Sequence, residues 1–311
     1  MTALVCVAPN PAIDRIYEVD RLTPGAIHRP VRATAVPGGK GLNVARAAHH
    51  LGADVVAVTI LRGHAGRWVD EALASAGVTV RAVWTSGETR TCVSVRDPAT
   101  PGLTEVYDRG EAVPADAWRD LESLVRVEST AAALVTVSGG VPPGVDDGAF
   151  ARICGVAAEA GARILLDVYG VALARALAEG PWLVKVNEAE ASDLLERHVG
   201  GVDAARVAAA ELVARGAGAA IVTRGTAGAV AAAAGDAWLV GPPAAEGPYP
   251  VGSGDAFLAG LATGLLDGED LVGALRLGAG AAAANALVPG QGEFDPAVAR
   301  DLAGRIGVTR A

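Results

Sequence analysis

Four consecutive residues near the end of the chain, Gly252, Ser253, Gly254 and Asp255, combine a flexible backbone with a carboxylate where a helix is predicted to begin. The two glycines let the backbone approach a ligand closely. The free N–H groups of a helix start, together with the helix dipole, suit a phosphate group or a developing anion. Asp255 could accept a proton from a hydroxyl. Alternatively, the segment is an ordinary glycine-rich turn whose aspartate stabilises the helix dipole.

Several common chemistries lack their motifs in this chain. Phe257 stands where G-x-G-x-x-G would need its third glycine, and no G-x-x-x-x-G-K-[ST] sequence occurs. Ser138 is not surrounded by a G-x-S-x-G elbow, which argues against a serine hydrolase. The sequence therefore favours neither a dinucleotide-binding oxidoreductase nor a P-loop enzyme.

A second glycine-rich helix start contains Gly38, Gly39, Lys40 and Asn43. It offers backbone donors, one cation and one amide, although a flexible turn with a solvated lysine has the same pattern. Among 26 basic residues only Lys40 and Lys185 are lysines, and both stand beside other polar candidates. Two glycine-rich helix starts in one chain indicate two anionic groups, such as a nucleotide and a phosphorylated substrate.

A third polar pair, Asn187 and Glu190, follows a predicted strand directly. Residues three apart face the same side of a helix start. An amide and a carboxylate there suit Mg²⁺, which prefers oxygen ligands and retained waters. The same spacing also makes a capping box, with Asn187 as the cap and Glu190 at the third helical position. Taken alone, the pattern fits the helix cap better.

Composition excludes several classes of protein. The 311 residues carry a net charge of −9, which argues against a general nucleic-acid or anionic-membrane binder. No uncharged apolar run reaches the length of a membrane helix. The three cysteines have no metal-binding spacing and are expected to be reduced. The N-terminal residues carry no basic segment typical of a signal peptide, so a cytoplasmic protein is expected.

Apolar runs of strand length alternate with helical patterns, which predicts a mostly parallel sheet covered by helices. The predicted buried strands are Leu4–Ala8, Val55–Leu61, Ala133–Val137, Ile164–Val168, Leu183–Val186 and Ala219–Thr223. The predicted helices between them are Leu42–Leu51, Arg67–Ala76, Asp116–Val127, Asp147–Ala160, Ala189–Arg197 and Asp203–Arg215. A hairpin around residues 235 and 236 and two small-residue helices, Ser253–Leu266 and Leu271–Leu287, complete the pattern.

Two segments interrupt this alternation, Arg15–Val36 and Thr89–Arg109. Both contain short alternating stretches typical of antiparallel strands outside the main sheet. We expect them to pair as a small β-sheet lid over a cleft. The whole chain, residues 1–311, is thus predicted to be one α/β domain with a lid.

Taken together, seven motifs resemble the PfkB (ribokinase-like) family of sugar kinases, in family order. They are residues 10–14, 38–43, 89–90, 137–144, 185–190, 224–228 and 252–255. Among its members the chain is most similar to the branch of hexose-phosphate kinases. The resemblance implies a ribokinase-like three-layer α/β/α fold and an ATP-dependent kinase. It favours the catalytic interpretation of Asp255, because motif and predicted context agree.

For phosphoryl transfer, the resemblance implies that Asp255 is the general base. The amides of Gly252, Ser253 and Gly254 would form the anion hole. Asn187 and Glu190 would organise Mg²⁺ through water. The residues expected on the ATP side are Lys185, Thr223, Gly225 to Gly228, and Asn285 nearer the adenine.

For the acceptor, the resemblance implies that Asp14, Gly38, Gly39 and Asn43 orient sugar hydroxyls. Lys40 and Arg90 would hold the substrate phosphate, with Arg29 and Ser138 as further candidates. Local cations explain how a protein of charge −9 accepts a dianion. The lid would exclude water from the reaction, and a homodimer through the lid is a further expectation.

Three departures from the family pattern occur. Pro250 stands where the family has Thr, Gly140 replaces a second Ser, and Val168-Tyr169 replace small hydroxyl residues. They bear on the identity of the substrate and not on phosphoryl transfer. Two alternatives remain open. One is a kinase of an unphosphorylated sugar or nucleoside on the same fold. The other is a non-catalytic regulator that binds a nucleotide or sugar phosphate.

Overall fold

The computed structural model describes residues 4–100 and 102–311, so residues 1–3, part of the N-terminal segment considered above, lie outside it. The described residues form fourteen strands and ten α-helices. The strands are β1 (Leu4–Ala8), β2 (Ala12–Glu18), β3 (Arg32–Gly38), β4 (Val55–Arg62), β5 (Thr79–Thr85), β6 (Arg90–Arg96), β7 (Thr104–Tyr107), β8 (Leu134–Ser138), β9 (Arg163–Asp167), β10 (Leu183–Asn187), β11 (Ala219–Thr223), β12 (Ala229–Ala233), β13 (Asp236–Val240) and β14 (Val308–Arg310). The helices are α1 (Lys40–His50), α2 (Gly63–Ser75), α3 (Ala115–Ser129), α4 (Ala149–Glu159), α5 (Gly170–Ala176), α6 (Glu188–Leu195), α7 (Gly201–Ala214), α8 (Ser253–Leu266), α9 (Leu271–Ala286) and α10 (Pro296–Arg305).

Ten strands form one large sheet in the order β14-β13-β12-β11-β10-β9-β8-β1-β4-β5. The pairs from β5 to β11 are parallel, and β11 to β14 pair antiparallel. Parallel strands need helical crossovers, which explains why helices alternate with strands over most of the chain. The predicted mostly parallel sheet is confirmed.

The sheet is buried on both faces, as the side chains of the central strand β1 show. Leu4, Cys6 and Ala8 pack into one core with helices that include α1, α8 and α9. Val5 and Val7 point to the opposite core, formed with helices that include α3, α4 and α7. Successive residues of a strand point to opposite faces, so an apolar run without polar interruptions requires a helix layer on each side. This gives the predicted ribokinase-like three-layer α/β/α arrangement.

A separate four-stranded sheet, in the order β3-β2-β6-β7, is the lid. Strand β2 pairs antiparallel with β3 and parallel with β6, so the two predicted hairpins join through their first strands. Both β2 and β3 extend beyond the predicted segment 15–36, and β2 therefore includes Asp14. The hydroxyl of Tyr249, in the loop before α8, donates to Glu18 at 2.7 Å and ties that loop to the lid.

The boundaries of the predicted buried strands are correct to within one residue, whereas four elements were missed. Strand β5 is the edge of the large sheet and is largely solvent-facing, so it has no continuous apolar run. Helix α5 has only seven residues, and α10 and β14 follow the last motif. Among the described residues no helix has the length and apolarity to cross a membrane.

Candidate active site

A cavity of about 620 Å³ lies between the large sheet and the lid. Four strands of the large sheet end in polar residues that line it: Ser138 on β8, Asp167 on β9, Asn187 on β10 and Thr223 on β11. In open parallel sheets ligands bind outside the carboxyl ends of the strands. The fold therefore gathers polar groups from distant parts of the chain at one edge.

Most residues predicted from the sequence line this cleft. They are Asp14, Gly39, Lys40, Asn43, Arg90, Ser138, Lys185, Asn187, Glu190, Thr223, Gly225, Gly228, Gly252, Ser253, Gly254 and Asp255. The three glycine-rich or acidic helix starts thus meet in one place, although up to 217 positions separate them in the chain.

Helix α8 begins in the cleft at a turn that requires glycine. Gly252 has a φ of 80°, in the left-handed region. A Cβ added there would lie 2.7 Å from the Cβ of Gln291, which leaves no room for a side chain. The N–H of Ser253 donates to the carbonyl of Pro250 at 3.1 Å and closes this turn. Contrary to the prediction, the Ser253 amide is therefore already engaged.

The remaining N–H groups at this helix start are available to a ligand. Those of Gly252, Gly254 and Asp255 have no acceptor within the described part of the chain. A Cβ on Gly254 would lie 3.5 Å from the Lys185 ammonium, so a cation borders the same spot. Backbone donors, a helix dipole and an ammonium group together stabilise an anion. The predicted anion hole stays a prediction, and the N–H groups free to form it are those of Gly252, Gly254 and Asp255.

Asp255 is a buried carboxylate with one hydrogen bond, donated by the Asn43 amide at 2.8 Å. Burial raises its pKa to about 7, and the negative charge of Asp167 adds to the shift. The ammonium groups of Lys40 and Lys185 and the Asn43 bond oppose it. A carboxylate with a pKa near neutrality is suited to accept a proton from a hydroxyl.

Asp167 is fully buried between the two lysines of the chain. Lys185 binds it at 2.6 Å and Lys40 at 3.2 Å. Burial alone would raise the pKa of Asp167, but the two ammonium groups outweigh burial and hold its pKa below the usual value. The sequence reasoning missed this residue. Its position at the carboxyl end of a predicted parallel strand was the available signal.

Lys40 differs most from its predicted role. Its ammonium lies 3.0 Å from Glu190 as well as 3.2 Å from Asp167, and the ring of Tyr169 covers it at 5.3 Å. Burial opposes the charge, but the surrounding carboxylates raise its pKa above the usual value. Two carboxylates already neutralise this ammonium. It is therefore a weaker holder of a substrate phosphate than the sequence indicated.

Asn187 and Glu190 form the capping box that the spacing favoured. The Asn187 side chain accepts from the Glu190 N–H at 2.8 Å, and Glu190 accepts from the Asn187 N–H at 3.0 Å. Among the described residues no cluster of three or more His, Cys, Asp or Glu could hold a metal directly. Both oxygens of Glu190 already accept bonds, one of them from Lys40.

One end of the cleft combines a carboxylate with an arginine. The pKa of Asp14 is raised to about 6, because burial outweighs its bond from the Gly39 N–H and the charge of Arg90. Arg90 donates to the carbonyls of Asn10 and Asp108, and its Nε is buried without a partner. Within the described part of the chain it forms no ion pair. Arg90 is therefore the uncompensated cation of this end.

The other end of the cleft is apolar. Ala279, Ala282, Ala283 and Ala286 of helix α9 line the cleft, as do Gly225 and Gly228. Small side chains leave open apolar space, here called the alanine-lined slot, which suits a planar base. The sequence indicated a small-residue helix here but not which face it turns to the cleft.

Three predicted residues do not line the cleft. Arg29 is exposed in the lid loop. Gly38 leaves room for Asp14, because a Cβ there would lie 2.0 Å from its carboxyl carbon. Asn285 is buried behind the anion hole, where its amide binds the Val251 carbonyl and accepts from the Gly292 N–H. It supports the glycine turn, and its predicted place near the adenine stays a prediction.

The family model of the pfkB family carbohydrate kinases matches residues 1–297. The chain belongs to this family.

Similar proteins agree with this membership. The chain is 34% identical to a 1-phosphofructokinase of Rhodobacter capsulatus over 275 residues, which are 88% of this chain and 87% of that protein. It superposes on phosphofructokinase-2 from Escherichia coli in complex with potassium with a TM-score of 0.91 and 29% identity, covering 98% of this chain and 99% of that one. A tetrameric inhibited form of the same enzyme gives a TM-score of 0.90, also at 29% identity, with the same coverage. The chain is thus a carbohydrate kinase, and ATP is its implied co-substrate.

The raised pKa of Asp255 predicts a pH-dependent stability. Its folded pKa of about 7 lies above the usual 3.8, so the folded state loses stability as pH rises through this interval. Asp255→Asn removes the charge. We expect its melting temperature to exceed that of the natural protein by several degrees at pH 8, with the difference vanishing near pH 4. Differential scanning calorimetry measures this, with the exposed Asp203→Asn as control. A constant difference at every pH would contradict the shift.

Proposed function

We propose that this chain transfers the γ-phosphoryl group of ATP to a hydroxyl of a hexose phosphate. Fructose 1-phosphate, fructose 6-phosphate and tagatose 6-phosphate are the candidate acceptors. The observation that carries the proposal is that one cleft holds both a buried carboxylate facing free N–H groups, at Asp255, and an unpaired guanidinium, at Arg90. The first suits phosphoryl transfer to an alcohol, and the second suits an acceptor that is itself an anion.

In this mechanism Asp255 takes the proton of the attacking hydroxyl. Asn43 holds one carboxylate oxygen at 2.8 Å and leaves the other for the acceptor. The N–H groups of Gly252, Gly254 and Asp255, with Lys185 beside them, stabilise charge on the migrating phosphoryl group. Catalysis of this kind depends on positioning and charge stabilisation, which rigid helix and strand ends provide.

The acceptor lies at the lid end, where Asp14 and Asn43 bond sugar hydroxyls and Arg90 binds the phosphate. The unbonded Asn43 Oδ1 and Ser138 Oγ are buried polar atoms that a bound sugar phosphate would satisfy. ATP lies along the other half, with its base in the alanine-lined slot and its phosphates beside Lys185, Thr223 and Gly225. The name 1-phosphofructokinase of the similar bacterial protein supports this acceptor class.

Mg²⁺ accompanies the nucleotide in this proposal. The oxygens of Glu190 and Asn187 are of the kind that Mg²⁺ prefers, but both residues are engaged in the helix cap. They would therefore hold the ion through bound water. The ion supplies positive charge for the phosphate oxygens.

Asp255→Asn should lower kcat by about 10²–10⁴-fold, because the base that accepts the hydroxyl proton is lost. ATP binding should be kept, which equilibrium titration with ATP checks. For the natural enzyme, kcat/KM should fall as pH drops below about 7, where Asp255 becomes protonated. Unchanged turnover of the variant would remove Asp255 from the mechanism.

A kinase of an unphosphorylated sugar or nucleoside is the second candidate, and Arg90 separates the two. Arg90→Ala should raise KM for a hexose phosphate by about 10-fold or more, because a charged hydrogen bond is lost. It should spare fructose, ribose or adenosine. An ADP-release assay with Mg-ATP and this panel decides which acceptor the natural enzyme uses. Turnover of fructose but of no hexose phosphate would establish the second candidate.

We further propose a homodimer through the lid. Ile27 is 87% exposed, and Val31 and Val106 are about two-thirds exposed, so the lid carries uncovered apolar side chains. The tetrameric form of the similar phosphofructokinase-2 is in line with association. Sedimentation velocity should give a dimer that Ile27→Asp dissociates, while Val127→Asp, about two-thirds exposed on α3, does not. A natural protein that sediments as a monomer would contradict the dimer.

A further inference from the structure

The backbone conformation at Gly140, in the loop after strand β8, does not require a glycine. Its φ lies outside the left-handed region, where other residues are strained. Space is the constraint, because a Cβ at this position would lie 2.4 Å from the hydroxyl oxygen of Tyr169 and 3.1 Å from its Cζ. Non-bonded atoms do not approach so closely. Tyr169 thus occupies the volume that a side chain at position 140 would fill.

Tyr169 follows strand β9 two residues after Asp167 and reaches over the cleft. Its ring covers the Lys40 ammonium at 5.3 Å, within the range of a cation–π contact. Its hydroxyl has no hydrogen-bond partner among the residues that the structure describes. The side chain is about half exposed and lines the cleft beside Ser138 and Gly140.

The polar groups around this hydroxyl are donors without acceptors. The Oγ of Ser138 is buried and unpartnered, and the N–H of Gly140 has no acceptor in the described part of the chain. Hydroxyl and amide donors of this kind suit the oxygen atoms of a phosphate. An apolar group would leave them unsatisfied.

Gly140 and Tyr169 therefore belong together. The phenol hydroxyl, carried from the end of β9, stands where the side chain of a residue at position 140 would stand. A polar group thus occupies this place even though position 140 has no side chain.

We propose that Tyr169 is a specificity-determining residue whose hydroxyl donates to the phosphate of the acceptor, and that Gly140 exists to admit it. The inference deepens the proposed function and rests on it. The ring has a separate role, because it covers the Lys40 ammonium and holds it between Asp167 and Glu190. Tyr169→Phe removes the hydroxyl and keeps the ring, so it isolates the first contribution.

The test compares four variants in steady-state assays with Mg-ATP and fructose 1-phosphate or fructose 6-phosphate. Tyr169→Phe should raise the acceptor KM about 10- to 100-fold, as loss of a hydrogen bond to a charged group does, with the KM for ATP unchanged.

Gly140→Ser should raise the acceptor KM in the same way, because the serine side chain expels the half-exposed tyrosine without unfolding the protein. The double variant Gly140→Ser/Tyr169→Ser should restore the acceptor KM to within about fivefold, a non-additivity that only a direct contact gives. Gly304→Ser, which faces open space on α10, is the control.

The outcomes separate this inference from the proposed function. Calorimetric titration of the natural protein with the same sugar phosphates measures binding without turnover. If the natural protein binds these sugar phosphates without turning them over, and Tyr169→Phe weakens this binding, the result supports the inference and contradicts the proposed function. Turnover with an unchanged acceptor KM in Tyr169→Phe, or a double variant no better than Gly140→Ser, overturns the inference alone. If the natural protein neither binds nor turns over any hexose phosphate, both the inference and the proposed function are overturned.

Discussion

Two buried carboxylates share one cleft, and their surroundings move their pKa values in opposite directions. Asp167 lies between two ammonium groups and remains ionised. Burial, together with the negative charge of Asp167, raises the pKa of Asp255 to about 7, although its one amide donor opposes the shift. Two carboxylates whose pKa values differ in this way can perform different tasks in one site. Asp167 fixes the lysines, and Asp255 is the carboxylate that can exchange a proton near neutral pH.

The rest of the molecule maintains this pair. Burial on this scale requires a sheet covered on both faces, and the parallel strand order brings β9, β10 and β11 to the same edge. The turn at Gly252 starts α8 so that free N–H groups and the Asp255 carboxylate face one space. Behind the turn, Asn285 fixes its backbone at Val251, and in front Tyr249 fixes the preceding loop to the lid at Glu18. The site is thus held from both sides.

The sequence predicts the local parts of this arrangement and not the contacts between them. Asp255 and Gly252 were recognisable because their chemistry lies within four consecutive residues. The sequence could not show the ion pairs of Lys40, because its partners, Asp167 and Glu190, are 127 and 150 positions away. Nor could it show that the Asn285 amide supports a turn more than thirty positions earlier. From the sequence, Tyr169 was only a departure from the family pattern. The structure shows that its hydroxyl occupies space left open because Gly140 has no side chain.

Asp255 is a buried carboxylate that titrates near neutral pH beside an ionised Asp167. Carbon-13 NMR of protein labelled at the aspartate carboxyl carbon measures this titration directly, with Asp255→Asn to assign the resonance. We expect one carboxyl signal with a midpoint near pH 7 that is absent from the variant. An Asp255 signal that titrates near pH 4, as in an exposed aspartate, would contradict it.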